Sequence, residues 1–215
     1  MFLTKDNNIK WGRIILGTVI TVVLILLGVI FFDEPLTRFA TQFNYDWVGY
    51  VSDVFCSKNW LFMSLLAVVV FFARKILRKR EKLPLKETLL KIKSSYAFFV
   101  FCSVWVAATV GAVLKFVIGR GRPILDRGAD IFVPCSWDWL YNSMPSGHAL
   151  LSFAGLVMIG LLAPRARWFT WSLAILIGAS RVVLGVHWTS DVILGAFVGM
   201  VCADVVKSVL TRKMK

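Results

Sequence analysis

Three short clusters in this sequence combine lysine, arginine, serine and histidine, residue types whose side chains bind anions and transfer protons or acyl and phosphoryl groups in proteins. They are Lys115-x6-Arg122-Pro123, Pro145-Ser146-Gly147-His148 and Ser180-Arg181-x5-His187-x3-Asp191. An arginine offers a planar fork that matches phosphate oxygens, and a lysine offers a compact positive charge. The chain has two histidines, and both lie in these clusters. The clusters therefore predict an oxyanion site that holds Lys115, Arg122 and Arg181.

The second cluster has the composition of a helix start. Ser146 is a favourable N-cap residue directly after Pro145, and Gly147 allows a ligand to approach the backbone. A helix that begins here would direct free N–H groups and a partial positive charge at an anion. We therefore expect Ser146 and Gly147 to bind the same phosphate as the three cations.

The two histidines indicate what could happen to that phosphate. His187 and Asp191 are four residues apart, so a helix that begins near His187 would put both on one face. A carboxylate that binds one imidazole nitrogen leaves the other free as a nucleophile or base. His148, on the other side of the anion, could act as the general acid. A single interfacial cation or histidine is usually an anchor or a structural residue, and the convergence of the clusters favours catalysis.

The elements that position these clusters are predicted to be membrane helices. Hydrophobic residues make up 58% of the 215 residues and charged residues 17%, below the roughly one quarter that is typical of soluble domains. The sequence predicts an all-α fold, a polytopic membrane bundle of six transmembrane helices that forms one domain over residues 1–215. The predicted spans are 14–32, 60–77, 96–114, 146–163, 168–184 and 192–210.

The segment 33–59, after the first span, has its own periodicity. Its large apolar residues recur at helical spacing with polar residues between them, which predicts an interfacial helix or a helix that caps the outer end of the bundle. The first span itself is longer than the ~7–15-residue core of a signal peptide, so we expect it to be retained. The apolar residues are Leu36, Phe39, Phe43, Trp47, Tyr50 and Val54.

The formal net charge of +13 is unevenly distributed. Eighteen of the 25 lysines and arginines fall on one side of the predicted bundle, nine of them from Arg74 to Lys93, at the end of span 2 and in the segment that follows it. Cytoplasmic loops carry this excess, so both termini are predicted to be cytoplasmic and the three clusters to face outward. The charge is thus explained by topology, with attraction to anionic lipid as a secondary possibility, and no nucleic-acid partner is expected.

The four cysteines divide by position. Cys102 and Cys202 fall within predicted spans, where a cysteine packs as a small apolar residue. Cys56 and Cys135 fall in outward segments, where both a disulfide and two free thiols are compatible with the sequence.

Taken together, the three clusters resemble the signature of the type 2 phosphatidic acid phosphatase (PAP2) superfamily, in order and without a departure. The superfamily also includes vanadium-dependent haloperoxidases, but those relatives are soluble. The resemblance implies that His187 attacks phosphorus, that Asp191 orients His187, and that His148 protonates the leaving oxygen and then activates water. It also implies that no metal or other cofactor is needed. The phosphate-binding residues it implies are Lys115, Arg122, Ser146, Gly147 and Arg181.

These observations predict a phosphatase in a bacterial inner membrane that acts on a lipid phosphate or pyrophosphate at the outer face. Undecaprenyl pyrophosphate is the first candidate; phosphatidylglycerophosphate, phosphatidate and lipid A are alternatives, and the oligomeric state is left open. One rival is a phosphotransferase that passes the phosphate to a second lipid. Another is a transporter, which would need polar groups near the bilayer midplane. Asp204 and Lys207 lie within the last predicted span, but near its inner end rather than at the midplane.

Overall fold

A computed structural model describes residues 2–4, 6–77 and 95–213 of the chain. The basic segment 78–93, which carries much of the predicted cytoplasmic charge, lies outside the described residues. Within them the protein is helical, and its extended structure amounts to two isolated bridges, Leu3 to Ile9 and Arg120 to Phe132. The predicted all-α class is therefore confirmed.

Eight α-helices occupy the described residues. They are α1 (Trp11–Leu27), α2 (Asp33–Ala40), α3 (Asp46–Val54), α4 (Ser57–Leu77), α5 (Tyr96–Ile118), α6 (Gly147–Leu162), α7 (Arg167–Val183) and α8 (Thr189–Lys213). A π-helical turn, Gly28–Phe32, joins α1 to α2. Short 3₁₀ turns are formed by Thr41–Phe43, Pro123–Leu125, Trp139–Tyr141 and Pro164–Ala166.

Four helical stretches in the described part of the chain are long and apolar enough to cross a membrane. They are Trp11–Phe43, Asp46–Arg74, Tyr96–Ile118 and Thr189–Arg212. Helices α6 and α7 have 16 and 17 residues, or roughly 24–26 Å of rise, which is shorter than the ~30 Å hydrocarbon core. The count of six spans therefore stays a prediction.

Helix α6 lies at the centre of the bundle. It packs against α5, α7 and α8, and 11 of its residues are buried. Its contact with α8 is so close that a Cβ added at Gly199 would lie 2.4 Å from the Leu150 carbonyl oxygen. A Cβ added at Gly195 would lie 2.7 Å from the Ser146 carbonyl oxygen. Because no side chain separates the two backbones, the starts of α6 and α8 are held together.

The segment after the first span has its apolar residues on the outside. Trp47 and Tyr50 are 63% and 75% exposed, whereas the polar residues Asp33 and Ser52 are fully buried. This reversal is what a lipid-facing surface requires, since hydrocarbon solvates apolar side chains. The predicted interfacial helix is not continuous, however, because the extended backbone at Tyr45 (φ −96°, ψ 147°) separates α2 from α3. Its place at the membrane interface stays a prediction.

Candidate active site

Lys115 and Arg122 are brought together where α5 ends. The helix stops at Gly119, which has left-handed backbone angles (φ 60°), and the chain turns back toward α6. The Lys115 ammonium donates to the Asn142 carbonyl at 2.6 Å. The Arg122 guanidinium donates to the carbonyls of Trp139 and Val186, both at 3.0 Å. Burial lowers the pKa of Arg122 to about 10, so this side chain remains a cation at neutral pH.

The second motif forms the start of α6, as predicted. The helix begins at Gly147 with Ser146 at the N-cap position, and the Ser146 N–H donates to the Asp191 carbonyl at 2.9 Å. The Ser146 hydroxyl makes no capping hydrogen bond, which leaves it available for another partner. A Cβ added at Gly147 would lie 2.9 Å from the Ser57 hydroxyl, so the glycine keeps space between α4 and the start of α6.

His187 lies in the turn before α8 rather than within the helix. The helix begins at Thr189, so the prediction that it begins near His187 is corrected by two residues. The cause is Asp191, whose Oδ2 accepts the N–H of Trp188 at 2.9 Å in the manner of half a capping box. The two predicted partners still meet, since His187 Nδ1 lies 3.5 Å from Asp191 Oδ2.

The surroundings of the His187 ring distinguish its two nitrogens. Nδ1 lies near Asp191 and 3.3 Å from the Ser143 hydroxyl, while Nε2 lies 3.3 Å from Nη1 of Arg122. Burial lowers the pKa of His187 to about 3, so the ring is neutral at physiological pH. A neutral ring with its proton on Nδ1, directed at the carboxylate, has a free lone pair on Nε2. That lone pair points toward the cations.

The second and third motifs contribute three buried polar atoms that have no hydrogen-bond partner among the described residues. These atoms are Ser146 Oγ, His148 Nε2 and Arg181 Nε. The Arg181 Nη1 donates to the Ser52 hydroxyl, and the charges of Arg181, Lys115 and Arg122 all act on the His148 ring. Buried polar atoms are normally paired, so three unpaired atoms in the motifs that carry these cations indicate a binding site for a polar ligand.

Several residues that contact the motifs were not singled out by sequence reasoning. Ser143 donates to Asp191 Oδ2 at 2.5 Å. Arg120, fully buried, donates at 2.7 Å both to Asp191 Oδ1 and to Asp33 Oδ2. In the sequence Arg120 was counted only as one of the outward cations. The available signal was a carboxylate, Asp33, directly after a long apolar run, because such a residue at a membrane boundary usually has a partner.

The described residues offer no obvious metal centre. Within them, no three His, Cys, Asp or Glu side chains converge as a set of metal ligands. All four cysteines fall in the described part of the chain, and all are free.

The sequence has relatives among characterised proteins. Residues 94–215 match the family model described as the PAP2 superfamily. A lipid A 1-phosphatase of Rhizobium etli is 30% identical over 182 residues, which are 84% of this chain and 78% of the relative. An undecaprenyl-diphosphatase of Sulfolobus acidocaldarius is 30% identical over 156 residues, which are 71% of this chain and 74% of the relative. These relatives confirm the prediction that the chain is a phosphatase.

The fold also matches solved structures. A PAP2-type phosphatidylglycerolphosphate phosphatase from Bacillus subtilis superimposes with a TM-score of 0.63 over 94% of this chain and 97% of that one, at 21% identity. LpxE of Aquifex aeolicus superimposes with a TM-score of 0.50 over 81% of this chain and 94% of that one, at 18% identity. At such identities these two structures support the fold alone. The family match over residues 94–215 and the 30% identical relatives establish that this chain belongs to the PAP2 superfamily.

Proposed function

We propose that this protein hydrolyses a lipid phosphate or pyrophosphate through a phosphohistidine formed on His187. The observation that carries the proposal is the orientation of the His187 ring. One nitrogen lies beside the carboxylate of Asp191, and the other lies 3.3 Å from the Arg122 guanidinium. A neutral nucleophile next to a phosphate-binding cation is the arrangement that phosphoryl transfer requires.

In the first step the phosphate would lie against Lys115, Arg122 and Arg181, with Ser146 Oγ and the N–H of Gly147 as further donors. His187 Nε2 attacks phosphorus, and the bond from phosphorus to the leaving oxygen breaks. His148 gives a proton to that oxygen, so the lipid departs as a neutral alcohol or, from a pyrophosphate, as a protonated phosphate. Asp191 stabilises the positive charge that develops on the His187 ring.

In the second step water would displace the phosphoryl group from His187. His148, now without its proton, accepts one from the attacking water, and the bond between phosphorus and Nε2 breaks. Inorganic phosphate is released, and the neutral His187 ring is regenerated. The same cations neutralise the phosphoryl oxygens in both steps, so one set of side chains serves two transition states.

Two substrate candidates have support from the relatives. Undecaprenyl pyrophosphate is the first, and it agrees with the name of the Sulfolobus relative; a lipid A phosphate is the second, and it agrees with the name of the Rhizobium relative. Both relatives are 30% identical to this chain, so identity does not separate the two substrates.

Phosphate release from a panel of lipid phosphates tests the function. Purified protein in detergent is given undecaprenyl pyrophosphate, lipid A, phosphatidylglycerophosphate and phosphatidate in parallel, with and without chelator. We expect release from at least one lipid, inhibition by vanadate and no loss of activity in chelator. Loss in chelator that Mg²⁺ restores would contradict the mechanism. A labelled donor given together with a second lipid separates hydrolysis from phosphotransfer.

We further propose that the site opens at the outer face of a bacterial inner membrane and that both termini are cytoplasmic. The uneven distribution of lysine and arginine supports this orientation. A reporter inserted near Gly128 should behave as external, and one fused after Lys215 should behave as cytoplasmic. A cytoplasmic result at Gly128 would reverse the orientation.

A transporter is less well supported than an enzyme. The polar pair within the last helix is used for packing at its inner end: Asp204 accepts the N–H of Phe2 at 2.8 Å, and Lys207 donates to the Leu161 carbonyl at 2.8 Å. These contacts join α8 to the N-terminal segment and to the end of α6 rather than line a path through the bundle.

A further inference from the structure

A buried ionic cluster behind the catalytic histidine joins the end of the first helix to the start of the last. We propose that Asp33 and Arg120 are positioning residues for catalysis, which together hold the carboxylate of Asp191 in the orientation that directs it at His187. This inference rests on the proposed roles of His187 and Asp191. It assigns a catalytic contribution to Asp33, which lies outside the three motifs, and to Arg120, which occupies an unspecified position of the first motif.

Arg120 has the contacts of a fixed structural cation. Its side chain is fully buried, and its three nitrogens make five contacts at 2.6–3.0 Å. A guanidinium has five N–H groups, so its donor capacity is used within the protein. Arg120 therefore has no donor to spare for substrate phosphate, unlike Arg181. The acceptors are Ala129 O, twice, Ser190 Oγ, Asp191 Oδ1 and Asp33 Oδ2.

Asp33 holds the other side of the guanidinium and the start of α8. Its Oδ1 accepts the backbone N–H of Ser190 at 2.9 Å, and its Oδ2 accepts both the Ser190 hydroxyl and Arg120 Nη2. Asp33 thus fixes the residue directly before Asp191 and the cation that binds Asp191. Through Ser190 and through Arg120, Asp33 therefore acts on the position of the Asp191 carboxylate.

The two oxygens of Asp191 are divided between support and catalysis. Oδ1 accepts from Arg120 at 2.7 Å. Oδ2 accepts from Ser143 Oγ and the Trp188 N–H and lies 3.5 Å from His187 Nδ1. Because Arg120 holds Oδ1, the carboxylate cannot rotate about its own axis without breaking an ion pair buried on both sides. Oδ2 is thereby kept toward the ring.

The π-helical turn explains how the first helix reaches the catalytic centre. A π-turn inserts an extra residue into a helix, and such turns are frequent at functional sites. Here the turn Gly28–Phe32 directly precedes Asp33. A Cβ added at Gly28 would lie 3.0 Å from Ser190 Cβ, so the turn passes close to the start of α8. The family match begins at residue 94, so Asp33 comes from a part of the chain outside it.

The test replaces Asp33 by Asn and Arg120 by Lys, with Asp46→Asn and Arg127→Lys as matched controls on exposed residues. Turnover is measured with an aryl phosphate and with a lipid phosphate, and vanadate inhibition is measured for each variant. For Asp33→Asn and Arg120→Lys we expect kcat to fall roughly 10- to 100-fold on both substrates, as for other residues that orient a catalytic ligand. KM and vanadate inhibition should be unchanged, because Lys115, Arg122 and Arg181 keep their places.

Three results would overturn the inference. The first is a folded Asp33→Asn protein with wild-type kcat. The second is a rise in KM with kcat unchanged, since that would make Asp33 a substrate-binding residue. If Asp33→Asn does not fold in detergent, Arg120→Lys decides, because it removes the guanidinium that binds both Asp33 and Asp191; wild-type kcat in that variant is the third. Failure of the proposed function looks different, because then the wild type and both controls release no phosphate from either substrate.

Discussion

The two sides of the His187 ring have opposite hydrogen-bonding states. On one side, called the support side, Asp33, Arg120, Ser190 and Asp191 are fully buried, and each is paired with at least one of the others at 2.5–2.9 Å. On the other, called the ligand side, Ser146 Oγ, His148 Nε2 and Arg181 Nε are buried and have no partner among the described residues.

This difference separates the residues that orient the His187 ring from the residues that contact the ligand. Groups whose hydrogen bonds are satisfied by protein hold one geometry, because any change exposes a buried charge without a partner. Groups that lack a protein partner can bind an anion without first breaking a bond to the protein. On the ligand side His148 acts on the leaving group, so its variants should change the dependence on substrate, whereas variants on the support side should change the rate for all substrates alike.

The largest expected effect comes from the ring itself. His187→Ala should abolish turnover on every substrate, because it removes the proposed nucleophile. Phosphate release from both an aryl and an alkyl phosphate measures this. Residual turnover well above background would assign the nucleophile wrongly.

His148→Ala should distinguish leaving groups. An alkoxide is strongly basic and needs a proton as it leaves, whereas nitrophenolate leaves without one. General acid catalysis contributes ~10²–10⁴-fold, so we expect a loss of that order on an alkyl phosphate and a much smaller loss on nitrophenyl phosphate. The aryl substrate should also show one fast turnover before a slow phase, since release of the phosphoryl group needs His148 as a base. Equal losses in kcat/KM on the two substrates would refute the assignment.

Arg122→Lys should reduce kcat/KM by roughly 10²–10³ on both substrates, the range found when one donor to a transition-state oxyanion is lost. A lysine cannot keep the contacts to the Trp139 and Val186 carbonyls while it also reaches the phosphate. Arg127→Lys, an exposed position in the same loop, is the control. A loss confined to the alkyl substrate would show that Arg122 acts on the leaving group.

The smallest expected effect is that the His187 ring does not change its protonation state between pH 5 and 8. Burial lowers the pKa of His187 to about 3, so the ring should bind a proton only in strong acid and stay neutral between pH 5 and 8. In His148→Ala, His187 is the only histidine of the chain. Its ¹⁵N signals in histidine-labelled protein in detergent should be constant over that range. A midpoint near the ordinary value of ~6.5 would show that the ring is solvated.

The parts of this architecture that were predictable from the sequence are local ones. The start of α6 at Gly147 and the pairing of His187 with Asp191 follow from turn chemistry and from a spacing of four residues. The exposed apolar face of the segment after α1 follows from helical periodicity. These features depend on residues that are close in the chain.

The support side was not predictable, because its partners are far apart. Asp33 and Arg120 are separated by 87 positions, and nothing in the spacing of either residue points to the other. The late start of α8 was missed for a related reason. The Asp191 side chain caps that helix as well as facing His187, and the motif spacing reports only the second contact.

The close contact of α6 with α8 at Gly195 and Gly199 has a mechanical consequence. Helix α6 carries Ser146 and His148 near its start, and α8 carries Asp191, so direct backbone contact opposes any shift of one set of residues against the other. Arg181 is joined to Ser52 of α3 by a side-chain hydrogen bond, and α3 exposes Trp47 and Tyr50. The spacing between the start of α6 and Asp191 is therefore set by two glycines rather than by side chains that can change rotamer.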